Sequence, residues 1–197
     1  MTAAALAFAA ACSQGEPPDY TTSVATSREQ KDRMFRESKE SPVKKEDLDK
    51  FVPLTYFPVD ESYAVPAQLD VFRDRPAFTM PTSLGTLRNV EKLGTLKFNL
   101  KGEPLQLTAF LEEGSQLLFV PFADLTSGTE TYQAGRYLNL EPTGSGLYIV
   151  DFNTAYHPYC YYNPSYECPL PPAENRLSVA IRAGERLRSA DTTVTRE

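Results

Sequence analysis

The feature that most constrains this chain is a period of two. Gln68-Leu69-Asp70-Val71-Phe72, Thr95 to Leu100 (TLKFNL) and Leu105 to Phe110 (LQLTAF) alternate apolar and polar residues. Side chains on a strand point to opposite faces in turn, so each segment puts one face in a core and one in water. Lys101-Gly102-Glu103 and Glu113-Gly114-Ser115 fall between such segments at hairpin-turn positions. Leu117 to Phe122 (LLFVPF) is a continuous apolar run that fits a more buried strand, and Tyr137 to Leu140, Leu147 to Val150 and Leu177 to Ile181 complete the set. About seven to nine short strands joined by tight turns predict an all-β fold, an antiparallel sandwich or partly closed barrel; a parallel sheet would need intervening helices.

At 197 residues, with 41% hydrophobic and 23% charged residues, one domain with a sizeable core is expected. We place it at 52–188. Residues 13–27 are rich in Ser, Thr and Pro and read as a flexible tether, and 189–197 as a disordered tail. Over 28–51 the pattern is helical. Arg28 to Glu40 pairs opposite charges four apart (Glu29/Arg33, Asp32/Arg36, Arg33/Glu37, Arg36/Glu40) and offers only Met34 and Phe35 for contact, a pattern typical of a solvated face. Ser41-Pro42 reads as an N-cap and first helical residue, opening a short helix that carries Val43, Leu48 and Phe51 toward the domain. The net charge of -6 comes with scattered Lys and Arg, which argues against nucleic acid as a partner.

The first residues set an expectation of address. Ala3 to Ala11 (AAALAFAAA) is a short apolar block ending in small residues directly before Cys12, after which the chain turns polar. This resembles the end of a bacterial lipoprotein signal, with residues 1–12 as the signal segment and Cys12 as the acylated residue. No Lys or Arg precedes the block, which an upstream start would explain. The expectation is a bilayer anchor through the acylated N-terminus, in the bacterial cell envelope, with Ser13 favouring the periplasmic face of the outer membrane.

Chemistry-bearing residues gather at strand ends. Asp124-Leu-Thr-Ser-Gly-Thr-Glu130-Thr-Tyr132, closing on Gly135-Arg136, follows LLFVPF; Asp151-Phe152-Asn153 ends LYIVDF; and Glu174-Asn175-Arg176 closes a long loop, 153–176. That loop holds the only histidine, two cysteines, five tyrosines and five prolines, too aromatic for solvated disorder and longer than structureless loops usually run. Cys160 and Cys168 admit three uses. A disulfide is the simplest in an oxidising compartment, contributing about 2.6 kcal/mol for a nine-residue ring. Metal ligation with His157 is the second, although H-x2-C-x7-C matches no common zinc spacing. A Cys160 nucleophile with His157 as base is the third.

The run LFVPFADLTSGTETYQAGRYLNL, then DFNTAYHPYCYYNPSYECPLPPAENRL and IRAGE, resembles the hallmark segment of the bacterial and archaeal family called domain of unknown function 1684. SPVKKEDLDKFVPLTYFPVDESYAV and TMPTSLGTLRNVEKLGTLKFNL are similar to its earlier segments, so the likeness covers about residues 28 to 186. Ala123 stands where the family favours a basic residue and His157 where it favours Asn. The resemblance implies no reaction; it directs suspicion to Asp124, Ser127, Gly128, Glu130, Tyr132, Arg136, Asp151, Asn153, Cys160, Cys168, Glu174 and Asn175.

These residues support an expectation that Asp124, Glu130, Arg136, Asp151 and Glu174 converge on a cleft under the 153–176 loop that takes a small polar or anionic ligand, with Ser127, Tyr132, Arg136, Asn153, Asn175 and Arg176 as binding residues. Arg136 can grip a carboxylate or phosphate through two parallel hydrogen bonds, or bridge Asp124 or Glu130 internally. The alternative is a hydrolase that uses a carboxylate pair among Asp124, Glu130, Asp151 and Glu174, or a metal. A purely structural role for the motif is the second alternative. No cofactor is implied.

Overall fold

The computed structural model describes residues 19–112, 114–141, 143 and 147–188. The apolar N-terminal block, Cys12, the first part of the tether and the tail lie outside the described residues. Seven strands form one sheet: β1 Ala64–Val71, β2 Ala77–Pro81, β3 Leu87–Leu100, β4 Glu103–Leu111, β5 Leu118–Phe122, β6 Arg136–Leu140 and β7 Tyr148–Asp151. Every strand pairing is antiparallel, in the order β6-β5-β4-β3-β1-β7, with β2 added to β3. Just past β7, Tyr156 exchanges two backbone hydrogen bonds with Tyr137 of β6, which brings the ends together into a nearly closed barrel.

The alternation read from the sequence sorts residues between two cores. Leu96, Leu107, Val120, Leu138 and Val150 are fully buried inside the barrel. Burying such a side chain stabilises by about 1.5–3 kcal/mol each. Phe110, Phe119 and Tyr137, one position out of phase, face outward and are covered by Cys160 and Cys168 of the long loop. LLFVPF is apolar throughout because both faces of β5 are buried. The β3–β4 hairpin turns at Lys101-Gly102, both with positive φ, as a two-residue loop between strands of right-handed twist requires. A bulge between Lys92 and Gly94 bends the long β3.

Three elements differ from expectation. The first helix, α1 Tyr20–Glu37, starts eight residues before the helical charge pattern, so most of the supposed tether is helical; Asp19 caps it by accepting from the Thr22 amide at 3.0 Å. The second begins later than Ser41-Pro42, as a 3₁₀ turn over Lys45–Asp47 that runs into α2 Leu48–Phe51. Leu177 to Ile181 forms no strand. Both helices dock, and Phe35, Val43 and Phe51 bury against Tyr162 of the loop. The loop itself is ordered by short turns at Phe152–Thr154, α3 Tyr159–Tyr162 and Ala173–Asn175.

Candidate functional site

The predicted cleft is not assembled. Arg136 is wholly buried and paired with Asp124 at 2.9 Å, where the two side chains are 0% and 1% exposed. Three more donors go to the carbonyls of Ile181 (2.7 Å), Glu185 (3.1 Å) and Ala183, and its Nε is buried without a partner. Ser127 and Thr126 complete this turn: the Asp124 amide donates to Ser127 Oγ at 3.1 Å, and Thr126 donates to Asp124 Oδ1. Glu130 pairs with Arg182 at the surface, and Glu174 with Lys92 at 2.6 Å. Asn175 is fully buried, accepting from the Thr108 amide at 2.7 Å and donating to the Thr108 and Pro121 carbonyls. Arg176 is exposed. Of the four carboxylates offered as an acid–base pair, no two share a partner.

Asp151 and Asn153 do reach a cavity, in company the sequence reading missed. It occupies about 380 Å³ at the seam between α1 and the barrel, lined by Tyr20, Arg28, Lys31, Tyr56, Asp151, Asn153, Tyr156 and Glu185. Its two carboxylates both have partners inside the fold. Asp151 takes the Tyr20 hydroxyl and two donors of Asn153. Glu185, 1% exposed, takes Lys31 on one oxygen and, on the other, the Tyr162 hydroxyl and the His157 amide, each at 2.7 Å. Burial pushes its carboxyl up, but Lys31, His157 and Tyr162 together hold it below the ordinary range.

The donors are not saturated. Arg28 stacks on Tyr56, its guanidinium carbon 4.4 Å from the ring centre, and donates to the carbonyls of Phe57 (3.1 Å) and Asn153 (3.3 Å). That uses two of the five N–H groups of a guanidinium, and Arg28 has no carboxylate in ion-pair distance among the described residues. Both Arg28 Nε and the Tyr56 hydroxyl are buried without a partner. Burial lowers the pKa of Arg28, which stays charged from so high a starting point, and raises that of Tyr56, which stays protonated.

Local sequence explains the placement. Val24, Arg28, Lys31 and Phe35 are spaced 4, 3 and 4 apart, one face of a helix, with the buried Val24 and Phe35 at its ends. That stripe was the available signal, and the alternating charges on the opposite face masked it. Glu185 is placed by Gly184, whose φ is +77° and where a Cβ would lie 2.5 Å from the Ala155 carbonyl oxygen. Only glycine permits that approach.

His157 sits in the wall behind the cavity. Nε2 accepts from the Tyr132 amide at 3.3 Å and Nδ1 lies 3.7 Å from Glu185, while burial pushes its pKa down to about 3. Tyr132 packs on Tyr161, and burial raises its phenol to about 12. Cys160 and Cys168 are free, buried thiols in contact, the Cys160 amide donating to Cys168 Sγ at 3.0 Å. The hydrogen bond from Cys168 lowers the Cys160 thiol to about 7. Among the described residues no three His, Cys, Asp or Glu side chains gather at metal-ligating distance.

Barrel, docked helix and ordered loop define a small antiparallel β-barrel protein with a seam cavity. The chain belongs to the family described as "Protein of unknown function (DUF1684)", whose profile matches residues 49–186. A solved structure similar to it is the solution structure of an uncharacterized protein from gene locus rrnAC0354 of Haloarcula marismortui. The two are 40% identical with a TM-score of 0.67, over 84% of this chain and 93% of that one. No curated protein is detectably similar.

Proposed function

We propose that this protein is a lipid-anchored cell-envelope protein that binds a small anionic ligand in the α1–barrel seam. The observation that carries the binding reading is the imbalance of the cavity: Asp151 and Glu185 are held by donors of the fold, while Arg28 spends two of its five N–H groups and the Tyr56 hydroxyl none. An unsatisfied buried donor costs about 1–3 kcal/mol, which a bound carboxylate or phosphate recovers. The scattering of Asp124, Glu130, Asp151 and Glu174 weighs against a carboxylate-pair hydrolase. The envelope address rests on the apolar block before Cys12.

Thermal-shift and calorimetric titration with acetate, succinate, sulfate and phosphate tests the binding reading. At least one anion binds saturably at one per chain, and Arg28→Met weakens it tenfold or more. Arg28→Lys, which keeps the charge but loses the planar fork, gives an intermediate loss. Binding by none of the four, or equal binding by Arg28→Met, overturns the reading. For the anchor, mass spectrometry of membrane-extracted protein finds acyl chains on Cys12, and an unmodified Cys12 overturns it.

A further inference from the structure

A second and larger cavity, about 560 Å³, lies on the other side of the Lys31–Tyr156 contact, beneath the long loop. Five aromatic rings line it: Phe119, Tyr137, Tyr156, Tyr159 and Tyr166. The rings meet edge to face, Tyr137 against Phe119 and Tyr156, and Tyr159 against Tyr166 with centroids 5.4 Å apart. This is the volume of a small-molecule site, and Tyr159, 37% exposed, brings its wall to the surface.

The polar groups narrow the occupant. Both cations of the lining are committed, Arg88 to Glu112 and the Glu167 carbonyl, Lys31 to Glu185. The Tyr137 hydroxyl donates to the Pro169 carbonyl and Tyr156 accepts from Asn139. The Tyr159 and Tyr166 hydroxyls carry no such bond among the described residues. What remains is ring faces and edges for stacking, with the Tyr159 and Tyr166 hydroxyls and the second carboxylate oxygens of Glu112 and Glu167 to meet a polar N–H edge.

We infer that this cavity is a separate binding site for a planar heteroaromatic ring with a polar edge, held between the Tyr137–Tyr156 wall and the Tyr159–Tyr166 wall. Aromatic rings prefer offset or edge-to-face neighbours, the arrangement that the rings of this lining already adopt among themselves. The inference is independent of the anion site.

The chain contains no tryptophan, so the emission of an indole probe excited at 295 nm is read without protein background. Indole titrated into the full protein shows a saturable, blue-shifted signal at one per chain. The Tyr159→Ala/Tyr166→Ala variant weakens it tenfold or more, while Tyr159→Phe, which keeps the ring, stays within threefold. Circular dichroism confirms that each variant is folded. Absence of saturable binding, or unchanged affinity in the double variant, overturns the inference. Displacement of indole by tetramethylammonium, with glucose inert, overturns the planar-ring assignment in favour of a cation cage.

Discussion

Replacing Arg136 with Met keeps an unbranched side chain and removes the guanidinium and its charge, and it tests the role that the buried guanidinium plays. Asp124 Oδ1 retains the Thr126 amide, the Thr126 hydroxyl and the Ile181 amide, but Oδ2 is held by Arg136 alone. The variant therefore leaves a buried carboxylate half-solvated by the protein and orphans the carbonyls of Ile181, Ala183 and Glu185. Removing one partner of a buried pair costs about 3–5 kcal/mol, a large share of a total stability of about 5–15 kcal/mol. At about 2–4 °C per kcal/mol for a domain of this size, a loss of about 4 kcal/mol lowers Tm by roughly 8–16 °C. Urea unfolding followed by circular dichroism reads the same loss as a lower midpoint with unchanged slope. Adding Asp124→Asn removes the stranded charge, and the double variant recovers at least about 1 kcal/mol of the single. A Tm within about 2 °C of the parent for Arg136→Met refutes the reasoning, because a guanidinium held ready for a ligand is removed at little cost to folding.

Two further outcomes concern the long loop. Because burial depresses the pKa of His157 to about 3, the folded protein declines a proton that the unfolded chain accepts below about 6.5. The stability this protects is whole above pH 6.5 and falls by about 1.4 kcal/mol per unit as pH drops toward 3; the depressed carboxyl of Glu185 adds to the loss at the acid end. Replacing His157 with Asn flattens the slope between pH 6.5 and 4.5 in urea midpoints, and an unchanged slope counts against it. Oxidising the Cys160–Cys168 pair with glutathione disulfide, which takes two electrons and receives both thiol protons, raises Tm by about 5–10 °C for about 2.6 kcal/mol. Thiols still alkylatable after oxidation, or an equal rise in Cys160→Ser, defeat that proposal.

The parts of the fold legible in the sequence are those governed by period. Strands β3, β4 and β6 announce themselves because alternate residues divide between the barrel interior and the outer core, and LLFVPF loses its alternation where both faces are covered. Strand β2 was not legible: Ala77-Phe-Thr-Met-Pro81 is short, mostly exposed, and paired on one side only to β3. The seam cavity was hidden for a different reason. It is built by Arg28 and Lys31 of α1 together with Tyr56 and Glu185, residues separated by most of the chain and brought together only by docking. Charge spacing along α1 describes its wet face and says nothing of what the other face meets.

The polar clusters misled in an instructive way. Between Asn175 and Glu185 the chain runs over the barrel without joining it as a strand, so its backbone needs partners that a sheet would have supplied. Arg136 provides them at every second residue, taking the carbonyls of Ile181, Ala183 and Glu185 with one side chain. Asn175 does the same where β4 and β5 diverge. Their ladder holds only Phe110 with Phe119 and Leu111 with Leu118; beyond it the Asn175 carboxamide spans from Thr108 to Pro121, a residue with no amide hydrogen to give. A carboxamide presents a donor and an acceptor as a peptide group does, and a guanidinium presents several donors in one plane. Both are thus suited to replace a missing strand, by the same chemistry that suits them to bind a ligand. Residue type alone does not separate the two uses. The separating observation is the surroundings: Arg136 is wholly buried and spends four of its five N–H groups inside the fold, and Asn175 spends its carboxamide on backbone atoms, whereas Arg28 spends two of five and lines the seam cavity with Tyr56.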